Sequence, residues 1–93
     1  MGIPAISTTK LTAAGNIKGS AGYLFWVIVE NGNAAAQEVV FHNATSGTTG
    51  EVFRVMVPIK DTKFISFPIA MHFSTGIRCG TVGTTVVITG GYQ

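Results

Sequence analysis

With 93 residues, 46% of them hydrophobic, the chain has room for one domain with one core and excludes a two-domain organisation. Only 11% of the residues are charged, where about a quarter is usual, and folding alone buries about 64% of the unfolded surface at this size, so cover supplied by partners is expected. The net charge is +2, but Lys10, Lys18, Arg54, Lys60, Lys63 and Arg78 are spread along the chain, which excludes the clustered cations that phosphate binding needs; no nucleic-acid partner is expected.

Residues 1–20 read as an extended N-terminal arm and 21–93 as the domain proper. Ala5 to Ala14 is mostly small and polar, with Leu11 its one large apolar residue apart from the Ile3 and Ile6 of the extreme terminus. Met1 to Leu11 carries Lys10 but no apolar stretch long enough for a signal-peptide core, so secretory export is not expected. Tyr23 to Glu30 is the strongest strand, apolar enough to be covered on both faces and placed in the centre of a sheet. Its run from Tyr23 to Val29 is the longest apolar stretch, far short of the about 20 residues that a spanning helix needs, and the strand-sized segments are too few for an outer-membrane barrel, so no membrane is expected.

Asn31-Gly32-Asn33 reads as the turn of a hairpin leading into Gln37 to Asn43. There Val39 and Phe41 share one face and Glu38, Val40 and His42 the other, as in a half-exposed strand. Ala44 to Gly50 is a polar loop. Val52 to Val57 alternates and is ended by Pro58, and Lys60-Asp61-Thr62 turns the chain. Phe64 to Phe67 is a short strand closed by Pro68, followed by Ile69 to Phe73, Ile77 to Cys79 and Thr84 to Thr89. Seven or eight short strands with no helical period predict an all-β fold, an antiparallel β-sandwich or jelly roll.

The residues that carry chemistry do not assemble into a site on spacing alone. His42 and His72 lack the His-X-His or His-X3-His spacing of metal ligands and a patterned carboxylate; they read as strand residues facing solvent or a subunit. Zinc needs three or four ligands, and only Cys79, His42 and His72 are plausible, so no metal or cofactor is expected. Cys79, in Ile77-Arg78-Cys79-Gly80, reads as an inward strand residue rather than a nucleophile served by either histidine. Glu30, Glu38, Glu51 and Asp61 read as solvated charges, and no catalytic pair of carboxylates is proposed by their spacing. Gly80 to Gly83 lacks the lysine and helix of a phosphate loop. The chain is therefore not expected to be an enzyme. Among the aromatics, alternation places Tyr23 and Phe25 on one strand face and Trp26 on the other; with Tyr92 they suit core and interface packing, or a platform for a sugar.

From Gly22 onward the chain resembles the small β-sandwich virion structural proteins of tailed bacteriophages, including capsid decoration or cement proteins. The resemblance is carried by an aromatic first strand ending in Asn31-Gly32-Asn33-Ala34-Ala35-Ala36, a Phe-His strand leading into a Thr/Gly loop, Phe53 to Pro58, and Phe67-Pro68 followed by Phe73-Ser74-Thr75-Gly76-Ile77. It covers about three quarters of the chain, and the loop after Cys79 is shorter than that pattern. It implies a non-enzymatic virion protein at the capsid surface that binds the major capsid protein, assembled as a homotrimer. The interface residues expected on this view are Ile3, Ile6 and Leu11 in the arm, with Tyr23, Trp26 and Tyr92; the alternative is a receptor- or glycan-binding module of a tail or head fibre.

Overall fold

The computed structural model describes residues 6–83 and 85–93. Eight strands run through them: β1 (Ser7–Leu11), β2 (Gly15–Lys18), β3 (Gly22–Asn31), β4 (Gln37–Asn43), β5 (Glu51–Val57), β6 (Thr62–Phe73), β7 (Ile77–Thr81) and β8 (Val86–Tyr92), and no helix occurs among the described residues. The strands form two antiparallel sheets, in the orders β1-β8-β3-β6 and β2-β7-β4-β5. β1 pairs with β8, β2 with β7, β3 with β6 and β4 with β5. The chain is thus one long hairpin, doubled back at the β4–β5 connection and rolled so that successive pairs fall in alternate sheets. That nesting is the strand order of a jelly roll, the all-β fold expected from the short alternating runs.

Between the sheets lie Leu24, Val27 and Val29 of β3, Val39 and Phe41 of β4, Val55 and Val57 of β5, and Phe73, Ile77, Cys79, Val86 and Ile88, all buried. Phe41 stacks on Phe53 at 4.4 Å between ring centroids, and Phe53 meets the edge of Phe67 at 5.7 Å, which closes the core at its β5–β6 side. Ile17 of β2 is 2% exposed and belongs to this core. The arm expected over 1–20 is therefore corrected from Ser7 onward: it is strand β1 on the edge of one sheet and strand β2 on the edge of the other. Small polar residues are compatible with an edge strand whose outer side is solvated, which is why composition alone suggested a free arm.

The hairpin expected at Asn31-Gly32-Asn33 is a crossing between sheets, because β3 and β4 do not pair. Asn31 makes the crossing. It is 3% exposed, and its Nδ2 group shares its two protons among the carbonyls of Ala35 (3.0 Å), Val57 (3.2 Å) and Pro58 (3.0 Å), while Oδ1 accepts from the Asn33 amide at 2.9 Å. One side chain thereby ties the end of β3 to the start of the crossing and to the β5–β6 corner.

In β3 the register shifts between Leu24 and Trp26 against both neighbours. β6 spends four residues, Phe67 to Ala70, where β3 spends only Phe25. Leu24, Val27 and Val29 consequently all point inward. Tyr23 and Trp26 both stand on the outer face, which corrects the strict alternation that set them apart. β6 is one strand across Pro68 rather than two: it is the edge of its sheet, so the missing donor breaks no ladder on the open side, and the bulge lifts Ile69 out to 87% exposure.

β8 continues beyond Thr89 through Gly90-Gly91-Tyr92, while Thr84, expected as its start, lies outside the described residues. Two glycines in a strand are explained by what lies over them. A Cβ on Gly90 would stand 2.9 Å from Ile17 Cδ1 of the facing sheet, and one on Gly91 would run into the Trp26 indole.

Two outcomes follow from these contacts. Asn31→Ala leaves buried carbonyls without their donor and is expected to lower stability by about 2 kcal/mol, read as a lower urea midpoint at unchanged slope. Gly91→Ala is expected to cost about 1–3 kcal/mol and to red-shift the fluorescence of Trp26, the single tryptophan, because the added methyl drives the indole off the sheet.

Candidate functional site

Three surfaces bring together residues that can recognise something. The first is a cleft of about 290 Å³ at one end of the sandwich, lined by Lys18, Ala21, Gly22, Tyr23, His72 and Gln93. It forms where the chain leaves β2 and crosses to β3. Tyr23 pairs with His72 across β3 and β6, and with Gln93 by two backbone hydrogen bonds of 3.0 Å, so its position is fixed from both sides. The Tyr23 and His72 rings lie 4.8 Å apart with planes 35° from parallel. Lys18 reaches in from the other sheet and lies across Gly22, where a Cβ would stand 2.7 Å from its Cδ and 3.0 Å from its Nζ. No acidic residue lines the cleft.

The second surface is the outer face of the β1-β8-β3-β6 sheet. Register places Lys10, Thr89, Ile28 and Phe64 in one row and Thr8, Gly91, Trp26 and Ser66 in the next. Phe64 is 62% exposed, and its ring lies 6.3 Å from that of Trp26. Trp26 and Ile28 are half-buried, which leaves an apolar strip whose flanking positions are mostly Thr and Ser.

The third lies on the outer side of the β2-β7-β4-β5 sheet. Arg54 donates to Glu51 at 2.9 and 2.6 Å and to Glu38 at 3.2 Å, so these two acids are paired rather than free. The Arg54 hydrogen bonds hold the Glu51 carboxyl below its ordinary range. Beside them the loop from Ala44 to Gly50 folds back over the sheet: Arg78 Nε donates to the Gly47 carbonyl at 2.9 Å, and His42 Nδ1 lies 3.2 Å from the Thr49 carbonyl. Expected at the surface, His42 is 2% exposed beneath this loop. A carbonyl only accepts, so Nδ1 carries the proton and Nε2 is buried with no protein partner.

Cys79 points inward opposite Phe41, fully buried, as its strand position predicts. Burial pushes its thiol from 9.0 up to about 12, so it remains protonated at neutral pH. His42, on the other side of β4 from Phe41, does not face it. Among the described residues, no three His, Cys, Asp or Glu side chains are gathered to hold a metal ion.

Of the residues expected at an interface, Ile6 (46%) and Tyr23 (47%) are exposed. Leu11 is half-buried against the core, as is Tyr92, whose hydroxyl accepts from Thr9 Oγ1 at 3.0 Å. Trp26 lies over Gly91, and Ile3 lies outside the described residues. The sequence names His72 as a strand histidine but does not join it to Lys18, nor Trp26 to Phe64, since no local spacing links 18 with 72 or 26 with 64; the packing of the two sheets brings together the first pair and the β3–β6 register the second. In comparisons with known proteins, no family model, curated protein or solved structure matches this chain.

Cys79 is expected to resist thiol reagents in the native protein and to react once unfolded. Its raised value also has a sign. The folded form retains the proton that the unfolded chain loses above 9.0, so this contribution to stability is complete below 9.0 and declines as pH rises toward about 12. Urea midpoints measured across that window should fall further for the native sequence than for Cys79→Ala.

Proposed function

We propose that this chain is a non-enzymatic virion structural protein, a capsid decoration or cement subunit that binds the assembled lattice of the major capsid protein as a homotrimer. On the capsid surface it stabilises the shell against internal pressure. The observation that carries this reading is the apolar strip of exposed Phe64 with half-buried Trp26 and Ile28 on a chain with 11% charged residues. A face of this kind gains from being covered. Repetition over a lattice strengthens it further, because many modest contacts acting together hold far more firmly than one. Jelly rolls occur in viral capsid domains and in lectin domains, an analogy at the level of fold that is compatible with this role and with the next.

A second reading, a glycan-binding module of a tail or head fibre, is favoured by the cleft. Tyr23 presents a half-exposed ring there, backed by His72 and beside a lysine. Aromatic rings with a polar tip suit ligands that are apolar on one face and hydroxylated at the edge.

Particles assembled with and without the chain, imaged by cryo-electron microscopy and heated until the genome is released, separate the two. A cement subunit leaves density at many shell symmetry positions, and its absence lowers the release temperature; Phe64→Asp, at an exposed position, should reduce occupancy without unfolding the subunit. Density confined to a tail or fibre, with release unchanged, overturns the cement role in favour of the glycan module.

A further inference from the structure

We propose that the cleft between Lys18, Tyr23 and His72 binds one ring of an acidic sugar, a hexuronate, with the pyranose face on Tyr23 and the carboxylate on Lys18 Nζ. This rests on the glycan-binding reading and adds the charge of the ligand to it. Three features of the cleft carry the inference. Its volume of about 290 Å³ sits at the small end of ligand sites, which suits a single sugar ring rather than a longer stretch of polymer.

The second feature is a preorganised platform. The Tyr23 backbone is held by paired hydrogen bonds to Gln93 and by its register against His72, and the His72 ring at 4.8 Å supports the tyrosine ring. Little ordering remains for binding to impose. The Tyr23 hydroxyl and Gln93 supply polar groups for ring hydroxyls at the edge.

The third feature is the sign of the charge. Lys18 is laid over Gly22 by close packing, so its ammonium stands at the wall of the cleft, where a Cβ on Gly22 would lie 3.0 Å from Nζ. Among the described residues no carboxylate forms an ion pair with it; the ion pairs there are those of Arg54 with Glu38 and Glu51, in the other sheet's β4 and β5. A carboxylate on the ligand completes a charge-assisted contact that a neutral sugar leaves unmade.

The test is a two-dimensional ¹⁵N NMR titration of the full chain with D-glucuronate, D-glucose and acetate. Glucuronate is expected to move the amides of Lys18, Ala21, Gly22, Tyr23, His72 and Gln93, and glucose the same set with about tenfold weaker affinity. Tyr23→Ala, at an exposed position that the core does not need, should abolish the response to both sugars; Lys18→Met should remove the preference for glucuronate and leave the response to glucose. Equal affinities for the two sugars overturn the charge preference and leave the glycan reading standing. Shifts in the cleft that acetate reproduces in full and that survive Tyr23→Ala overturn the inference as a site for anions only. No shift in the cleft with either sugar overturns both the inference and the reading beneath it.

Discussion

The register shift between Leu24 and Trp26 sets the faces of the central strand and, through them, the rest of the molecule. A β-strand without a bulge puts residues 24 and 26 on one side and 27 and 29 on the other, and no such arrangement buries Leu24, Val27 and Val29 together. One extra residue in β3 against β8 resolves the conflict, and the larger insertion in β6 follows the same step. The three aliphatic side chains then fill the space between the sheets while the large indole moves outward. The indole is not left in open solvent. It lies on the bare backbone of Gly91, beside Phe64, so that the surface strip and the interior packing arise from one local event.

The fold holds without covalent cross-links, since the single cysteine is buried and free. Its ends are closed by polar groups instead. Asn31 joins three carbonyls from two connections, its backbone amide donates to the Asp61 carbonyl at 2.8 Å, and the Gly32 amide donates to that of Thr85 at 3.0 Å. In a nested hairpin the two halves of the chain meet at such corners, where no ladder satisfies the backbone. A buried side-chain amide with two donors and an acceptor replaces that ladder. Close packing does the same work at the opposite sheet edge, where Ile17 rests on Gly90 and draws β2 against β8.

The cleft and the apolar strip lie on one side of the molecule, both on or beside the outer face of the β1-β8-β3-β6 sheet. The paired charges of Arg54, Glu38 and Glu51 lie on the other sheet, where one cation bridges two carboxylates. Lys10 is the one charged residue in the two rows that carry Trp26, Ile28 and Phe64, and Lys18 is the one lysine or arginine among the residues lining the cleft. The low charge content thus has a spatial consequence: it gives one face an apolar character and leaves one lysine at the wall of a concavity.

The residues by themselves determined the class of the fold, most strand positions and the interior place of Cys79, because these depend on local alternation, β-branched content and turn chemistry. Gln37–Asn43 coincides with its expected bounds, and Pro58 stops β5 at Val57. Tertiary structure decided what local pattern does not encode. Whether Asn31-Gly32-Asn33 turns within a sheet or crosses between sheets depends on which strands pair at long range. The burial of His42 depends on a loop folding over it, and the strand through Gly90-Gly91 depends on side chains from other strands filling the space above it. The cleft is the fullest case, for His72 and Gln93 are distant in sequence from Lys18 and Tyr23 and from each other, and become their neighbours only when the nested pairs are rolled into two sheets.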